Sequence, residues 1–231
     1  QKIIYTNANM QHALDVLERI ELSDFFDEIY DIKMANYIPK PEIAPYHQLI
    51  EQFNINTEKI ELTNRKLIGV APFARYSTKM YPLDLMQKVV GFLDQKHTGF
   101  LFGFGKFEMD IIEKWSKAFK NVYSSSSLGG FENEIALISN LDLMISMDSA
   151  NGHIASIYNV PVITVWGLTH PYTGFSTFCS RPENQLCVDR GKYPMVPNSI
   201  YGNKDLDGYE DAMRSISYNE VLTRAEAILT C

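Results

Sequence analysis

Leu143-Met144-Ile145-Ser146-Met147 is followed without a break by Asp148-Ser149-Ala150-Asn151-Gly152-His153. The first five residues are a short, mostly apolar run with no polar alternation, which reads as a strand buried on both faces. Asp148 and Ser149 both suit a helix N-cap, so a helix is expected from Ser149 to Tyr158. Pro161 to Trp166 is the next apolar run. A strand, a helix and a second strand in this order make a parallel crossover unit. The same rhythm holds on the amino-terminal side. Leu67 to Pro72, Phe100 to Gly103 and Asn121 to Tyr123 read as strands, and Pro82 to Leu93, Phe107 to Phe119 and Asn133 to Ser139 as helices. Five strands alternating with helices predict an α/β, Rossmann-like, doubly wound parallel sheet. The stretch from Cys179 to Tyr209, rich in Pro, Gly, Asn and Tyr, reads as an ordered loop, and Tyr218 to Leu229 as a closing helix.

Upstream the pattern is less regular. Ile3 to Thr6 reads as a strand, Gln11 to Ile20 as a helix, and Phe25 to Tyr30 as extended. Pro41 suits the first turn of a helix running through Tyr46, Leu49, Ile50 and Phe53. Asn54 to Arg65 has no long apolar run and is the expected boundary. The organisation is therefore a small αβ segment over residues 1–60 and a Rossmann-like domain over 66–231. A length of 231 residues allows one or two domains at about 100–200 residues each. The chain opens on Gln1, at the edge of a strand and without Met, so the sequence is expected to be a piece of something longer.

Composition narrows the class. The chain is 45% hydrophobic and 21% charged, enough apolar mass for a sizeable core. Against 21 Lys and Arg stand 28 Asp and Glu, a net charge of −7. That balance disfavours general nucleic-acid binding but leaves room for a local phosphate pocket. No apolar run is long enough for a membrane span. Cys179, Cys187 and Cys231 form no paired motif and fit a reducing cytoplasm.

Ligands of open parallel sheets bind beyond the carboxyl ends of the strands, so the strand-to-helix junctions carry the candidates. The first, Ala71 to Pro82, offers Arg75 and Lys79. Lys79 suits a phosphate, or is a solvated loop lysine. The second, Phe102-Gly103-Phe104-Gly105-Lys106-Phe107-Glu108, has two glycines before a helix. Glu108 suits ribose hydroxyls, or stabilises the helix start. In the third, Ser127 to Glu132, the turn's backbone meets a base edge or simply turns the chain. The fourth, Met147 to His153, joins two cap residues to small residues at a helix mouth, an anion site; His153 is a ligand contact or a core histidine. The fifth brings Thr169 and His170 beside it if the last two strands are neighbours.

Taken in order, Lys79 with Tyr81-Pro82, Gly103 to Glu108, Asp148-Ser149-x-x-x-His153 and Trp166-Gly-x-Thr169-x-Pro171 resemble the carboxyl-terminal half of glycosyltransferase family 9, the heptosyltransferase-like enzymes. The resemblance covers about residues 66–230. It implies one half of a GT-B architecture and inverting sugar transfer from a nucleotide-sugar donor without a cofactor or catalytic metal. It implies a glycan or glycolipid acceptor in lipopolysaccharide-type assembly, no nucleic acid, and a cytoplasmic site, either free or peripheral to the inner membrane. By the resemblance Lys79 and the Ser149 helix mouth hold the diphosphate, Glu108 the ribose and Gly129 the base. Asp148 and His153 line the donor sugar and phosphate, with Thr169 beside them. The acceptor-activating base would belong to the other half of the fold. Ala150 stands where the family usually has Gly. The Tyr201-Gly202-Asn203-Lys204 segment lacks the cysteines some relatives carry, so no structural metal is expected.

Residues 1–60 resemble part of a haloacid-dehalogenase-type phosphatase of the pyrimidine-nucleotidase kind, on Ile3 to Ala8, Leu22-x-Asp24-x-Phe26-Asp27 and Lys40-Pro41. There Thr6 and Lys40 would bind phosphate, with magnesium as cofactor. No D-x-D nucleophile precedes Thr6 and no acidic pair follows in Glu58 to Arg65, so phosphoryl transfer is not expected. The alternatives are therefore such a phosphatase or a non-catalytic fusion of two fragments.

Overall fold

The computed structural model describes residues 2–19, 22–38, 44–52, 65–178 and 180–230. They form two compact units, Gln1–Thr63 and Asn64–Cys231.

In the first unit, β1 (Ile3–Tyr5) pairs in parallel with β2 (Glu28–Tyr30), with Tyr5 opposite Tyr30. The crossover is α1 (Met10–Arg19). Its start is capped twice. Asn9 Oδ1 accepts from His12 N at 2.9 Å, and Asp31 Oδ2 accepts from Met10 N at 3.0 Å. Ala13, Leu17, Tyr30 and Ala35 form the small core. The helix expected from Pro41 is described as α2 (Ala44–Gln52); Pro41 itself and the expected boundary over 54–64 lie outside the described residues.

The second unit is a six-stranded parallel sheet in the order β5-β4-β3-β6-β7-β8. The strands are β3 (Leu67–Ala71), β4 (Thr98–Leu101), β5 (Val122–Ser124), β6 (Leu143–Met147), β7 (Val162–Trp166) and β8 (Gln185–Cys187). The chain enters at the centre on β3, runs outward to β5, returns to β6 on the other side of β3, and runs outward again. Helices α3 (Leu83–Lys96), α4 (Gly105–Ala118) and α7 (Tyr218–Leu229) share one core with the sheet, through Val90, Trp115 and Leu222 among others. Helices α5 (Phe131–Ile138) and α6 (Ala150–Ile157) cover the other face, through Ile138 and Ala155. Every residue of β6 and β7 is buried, which explains why their sequences show no polar alternation.

Three expectations are corrected. The Cys179–Tyr209 stretch is not all loop, because β8 adds a sixth strand, paired Thr164 to Gln185, with Trp166 Nε1 donating to Gln185 Oε1 at 2.8 Å. Strand β4 begins at Thr98, and Gly103 lies beyond it; a Cβ there would stand 2.7 Å from Ile112 Cδ1, so the position serves packing. Helices α4 and α5 start two residues earlier than expected, at Gly105 and Phe131.

Candidate functional site

The registers Ala71 to Ser146 and Met147 to Val165 place the ends of β3, β6 and β7 side by side. This is where the winding direction reverses, the position at which open α/β sheets form a crevice. Lys79 follows β3 and Asp148 follows β6. Lys79 Nζ lies 2.7 Å from Asp148 Oδ2. The same oxygen accepts from Thr169 Oγ1 at 3.2 Å, and Thr169 is fully buried just after β7.

Several contacts hold Lys79 in place. Residues Ser77–Lys79 form a single tight turn in which Lys79 N donates to Tyr76 O at 3.0 Å. Leu168 N donates to Thr78 O at 2.9 Å, and Thr78 Oγ1 donates to the Gly202 carbonyl. Gly202, at φ 70°, lies over the lysine stem. Next in the chain, Tyr81 N donates to Met147 Sδ at 3.2 Å and Tyr81 OH to Ile216 O at 2.6 Å. Burial above all, with Glu220 and Asp84 adding, pushes this phenol up to about 12.

A cleft of about 970 Å³ opens above these residues and is lined by Lys79, Asp148, Ser149 and Glu108, and by Arg75. It brings together four of the residues the sequence singles out. Ser149 has the extended backbone of an N-cap but makes no side-chain cap bond. Its hydroxyl lies 3.1 Å from Ser146 Oγ, so the first turn of α6 presents backbone N–H groups at Ala150 and Asn151, which also line the cleft. Glu108 Oε2 accepts from Phe104 N at 2.7 Å, the helix-start role read as its alternative.

The other candidates stand back from the lining. Gly129 sits in an exposed turn where its N–H donates to Ser126 O at 3.3 Å and its carbonyl accepts from Asn133 Nδ2 at 3.3 Å; the neighbouring Gly130 lines the cleft. His153 is half-buried on α6, outside the lining. Thr169 reaches the site only through Asp148. His170 Nδ1 accepts from Tyr172 N at 3.2 Å and shapes the following turn. Burial, and then Arg190, hold its imidazole below the ordinary histidine range.

Sequence reasoning passed over two groups. Arg75, seen as a junction cation but given no role, lines the cleft and makes no ion pair among the described residues. Phe104 and Phe131, 92% and 63% exposed, form an aromatic rim with Glu134 below them. Their position at helix starts after short strands was the available signal.

In the first unit, Thr6 Oγ1 accepts from Ala8 N at 3.0 Å. Both Asp31 oxygens accept backbone N–H groups, from Met10 and Met34. Lys40 lies outside the described residues. No cluster of three metal-ligating side chains occurs among the described residues, and no described helix is long and apolar enough to cross a membrane.

A doubly wound parallel sheet, with a lysine, an arginine and a helix mouth gathered at its switch point, has the build of a nucleotide-binding domain. The chain belongs to glycosyltransferase family 9 (heptosyltransferase), whose sequence profile matches residues 23–198. It is 25% identical over 171 residues to the lipopolysaccharide core heptosyltransferase OpsX of Haemophilus influenzae, covering 68% of this chain and 48% of that protein. It is 26% identical over 113 residues to lipooligosaccharide heptosyltransferase 2 of Campylobacter jejuni, covering 46% and 35%. The chain thus spans half or less of the curated relatives it matches. In fold it resembles the E. coli heptosyltransferase WaaC solved with ADP, at a TM-score of 0.53 and 12% identity, covering 99% of this chain and 73% of that one. The family match begins inside the first unit, and nothing supports the phosphatase resemblance of residues 1–60.

Proposed function

We propose that this chain binds the nucleotide-sugar donor of an inverting GT-B glycosyltransferase that builds lipopolysaccharide or a related cell-surface glycan. The observation that carries the reading is the Lys79–Asp148–Thr169 cluster at the floor of the cleft, with Arg75 and the mouth of α6 beside it. A diphosphate set there meets two cations and free backbone N–H groups. When the sugar–oxygen bond breaks, negative charge grows on the departing phosphate, and these fixed groups stabilise it. Asp148 and His153 are assigned to the donor sugar and phosphate, Glu108 to the ribose through the oxygen that Phe104 leaves open. The base is assigned to the corner formed by Gly129, Gly130 and the aromatic rim.

The acceptor is read as a glycolipid or glycan. The protein would act in the cytoplasm, at the inner-membrane surface where such acceptors are presented. The base that takes the acceptor's proton is assigned to the acceptor side of the fold. ADP heads the donor candidates because the E. coli fold relative is solved with it.

Calorimetric titration with ADP, GDP and UDP tests this reading. Saturable binding of one of them, weakened in Lys79→Ala and Asp148→Ala, is expected. No saturable binding, or affinity indifferent to both substitutions, sinks it.

A further inference from the structure

Three carboxylates line the donor cleft among the described residues: Glu108, Glu134 and Asp148. Glu108 and Asp148 have tasks in the reading above, and Glu134 has none. It stands in the first turn of α5, three residues after Phe131, so the two side chains share a face of the helix. Its Oε1 accepts from Ser125 Oγ at 2.7 Å. Ser125 is only 1% exposed and opens the tight turn Ser125–Leu128 that follows β5. A hydroxyl fixed in the core therefore holds the carboxylate in one orientation. The other oxygen, Oε2, has no hydrogen-bond partner among the described residues and is not sealed from solvent. Glu134 pairs with no cation among them either. Glu132, exposed on the same turn, already supplies the negative charge that a helix start favours.

A carboxylate beside a diphosphate would repel it, and the sheet order keeps the two apart. Lys79 follows β3, whereas Glu134 follows β5, two strands further out, about 10 Å at the usual spacing. A nucleotide anchored by its phosphates at Lys79 thus presents its base to Glu134. The exposed rings of Phe104 and Phe131 line that part of the cleft and offer faces for a base to stack on. Stacking holds any base, so discrimination falls to the polar group beside it. A carboxylate only accepts hydrogen bonds. It suits an amino group on the base and sets oxygen against oxygen where the base carries a carbonyl. Guanine offers two adjacent donors, N1–H and the 2-amino group, which match a carboxylate with both oxygens open; here Ser125 occupies one. A single open acceptor fits the 6-amino group of adenine.

We propose that Glu134 selects the base of the donor, with Oε2 accepting from the 6-amino group of adenine and Ser125 as the positioning residue that aims it. The inference rests on the donor-cleft reading above.

Calorimetric titration of the full chain with ADP and with inosine diphosphate (IDP), which carries a carbonyl in place of that amino group, is the test. The parent is expected to bind ADP about tenfold more tightly than IDP, the worth of one hydrogen bond to a charged group. Glu134→Gln, whose amide can both donate and accept, should bring the two affinities together. Ser125→Ala, which frees the carboxylate to turn, should give an intermediate ratio. Lys79→Ala should weaken both nucleotides alike and leave the ratio in place. A parent that binds both equally or prefers IDP overturns the proposal. So does a ratio that survives Glu134→Gln, or a Glu134→Gln loss shared equally by ADP and IDP, as a purely structural carboxylate would give. In each of these outcomes the donor-cleft reading stands. Binding of neither ADP nor IDP also overturns the proposal, and titration with GDP and UDP then decides whether the donor-cleft reading falls with it.

Discussion

Lys79 Nζ stands 2.7 Å from Asp148 Oδ2, and the two side chains are only 13% and 5% exposed. They belong to the loops after β3 and β6, so the pair joins the two halves of the sheet where its winding reverses. Deleting one member strands the other charge away from water, a loss of about 3–5 kcal/mol for fully buried pairs. Asp148→Ala is expected near the lower end, about 3 kcal/mol, because Lys79 keeps some access to solvent. Lys79→Met should cost a similar amount, and the double variant Lys79→Met/Asp148→Ala less than the sum of its parts. Urea unfolding of the four proteins of this cycle provides the check; strictly additive losses would mean the two charges are not coupled.

Gly202 tests how Lys79 is aimed. Its φ of 70° is strained for any residue with a side chain, and a Cβ there would stand 2.5 Å from Lys79 Cδ and 2.6 Å from Cγ. Gly202→Ala should therefore displace the lysine stem as well as strain the backbone, at a cost of about 1–3 kcal/mol. The expected signature is a fall in nucleotide affinity together with a modest fall in stability. Unchanged affinity in a less stable protein would show that the lysine relaxes freely.

Tyr81 couples the site to the core and carries a pH dependence. The fully buried phenol donates to Ile216 O at 2.6 Å, and its pKa is raised from 10.0 to about 12. A raised acid favours the neutral folded form. Its contribution is therefore intact below the unfolded pKa of 10.0 and disappears as pH climbs towards about 12. Tyr81→Phe leaves the Ile216 carbonyl without its partner and should cost about 1–2 kcal/mol near neutrality. It should also flatten the alkaline loss. Urea midpoints measured on both sides of the phenol's ordinary pKa decide the point; parallel alkaline slopes for the two proteins would refute it.

The legible parts of the molecule were those set by local chemistry. Strands β6 and β7 are five-residue runs bounded by Asp148 and Gly167, and burial on both faces erases any alternation. Helix α4 opens on a contact between Phe104 and Glu108, four residues apart, which sequence spacing alone anticipates. Strand β8 escaped because three residues, with Leu186 alone fully inside, carry no period; pairing with β7 makes them a strand. The Lys79–Asp148 contact depends on strand order, since only the neighbouring of β3 and β6 brings the two loops together. Gly202 over Lys79 is a tertiary meeting of distant segments, and no local rule marks it. Gly129 is singled out through the family resemblance, and no local rule reveals that its N–H and carbonyl bond within the turn while Gly130 lines the cleft.

His97 closes α3 and is expected to make the fold sensitive to acid. It is 9% exposed, and both ring nitrogens are buried without a hydrogen bond. Burial is the largest influence and lowers its pKa, and Lys96 and Arg65 lower it further; only Glu226, whose Oε1 is 3.8 Å from Nε2, pulls the other way. A lowered histidine is neutral in the fold. In the unfolded chain it takes up its proton at about pH 6.5. Stability is therefore whole above that value and falls as pH drops from there towards the folded pKa. His97→Gln, which cannot titrate, should show a shallower loss between about pH 7 and about pH 5. Glu226→Gln should steepen it, because the one group favouring the charged ring is gone. Chemical unfolding of the three proteins across that range tests both signs at once. A His97→Gln profile as steep as the parent's would move the acid sensitivity to other groups.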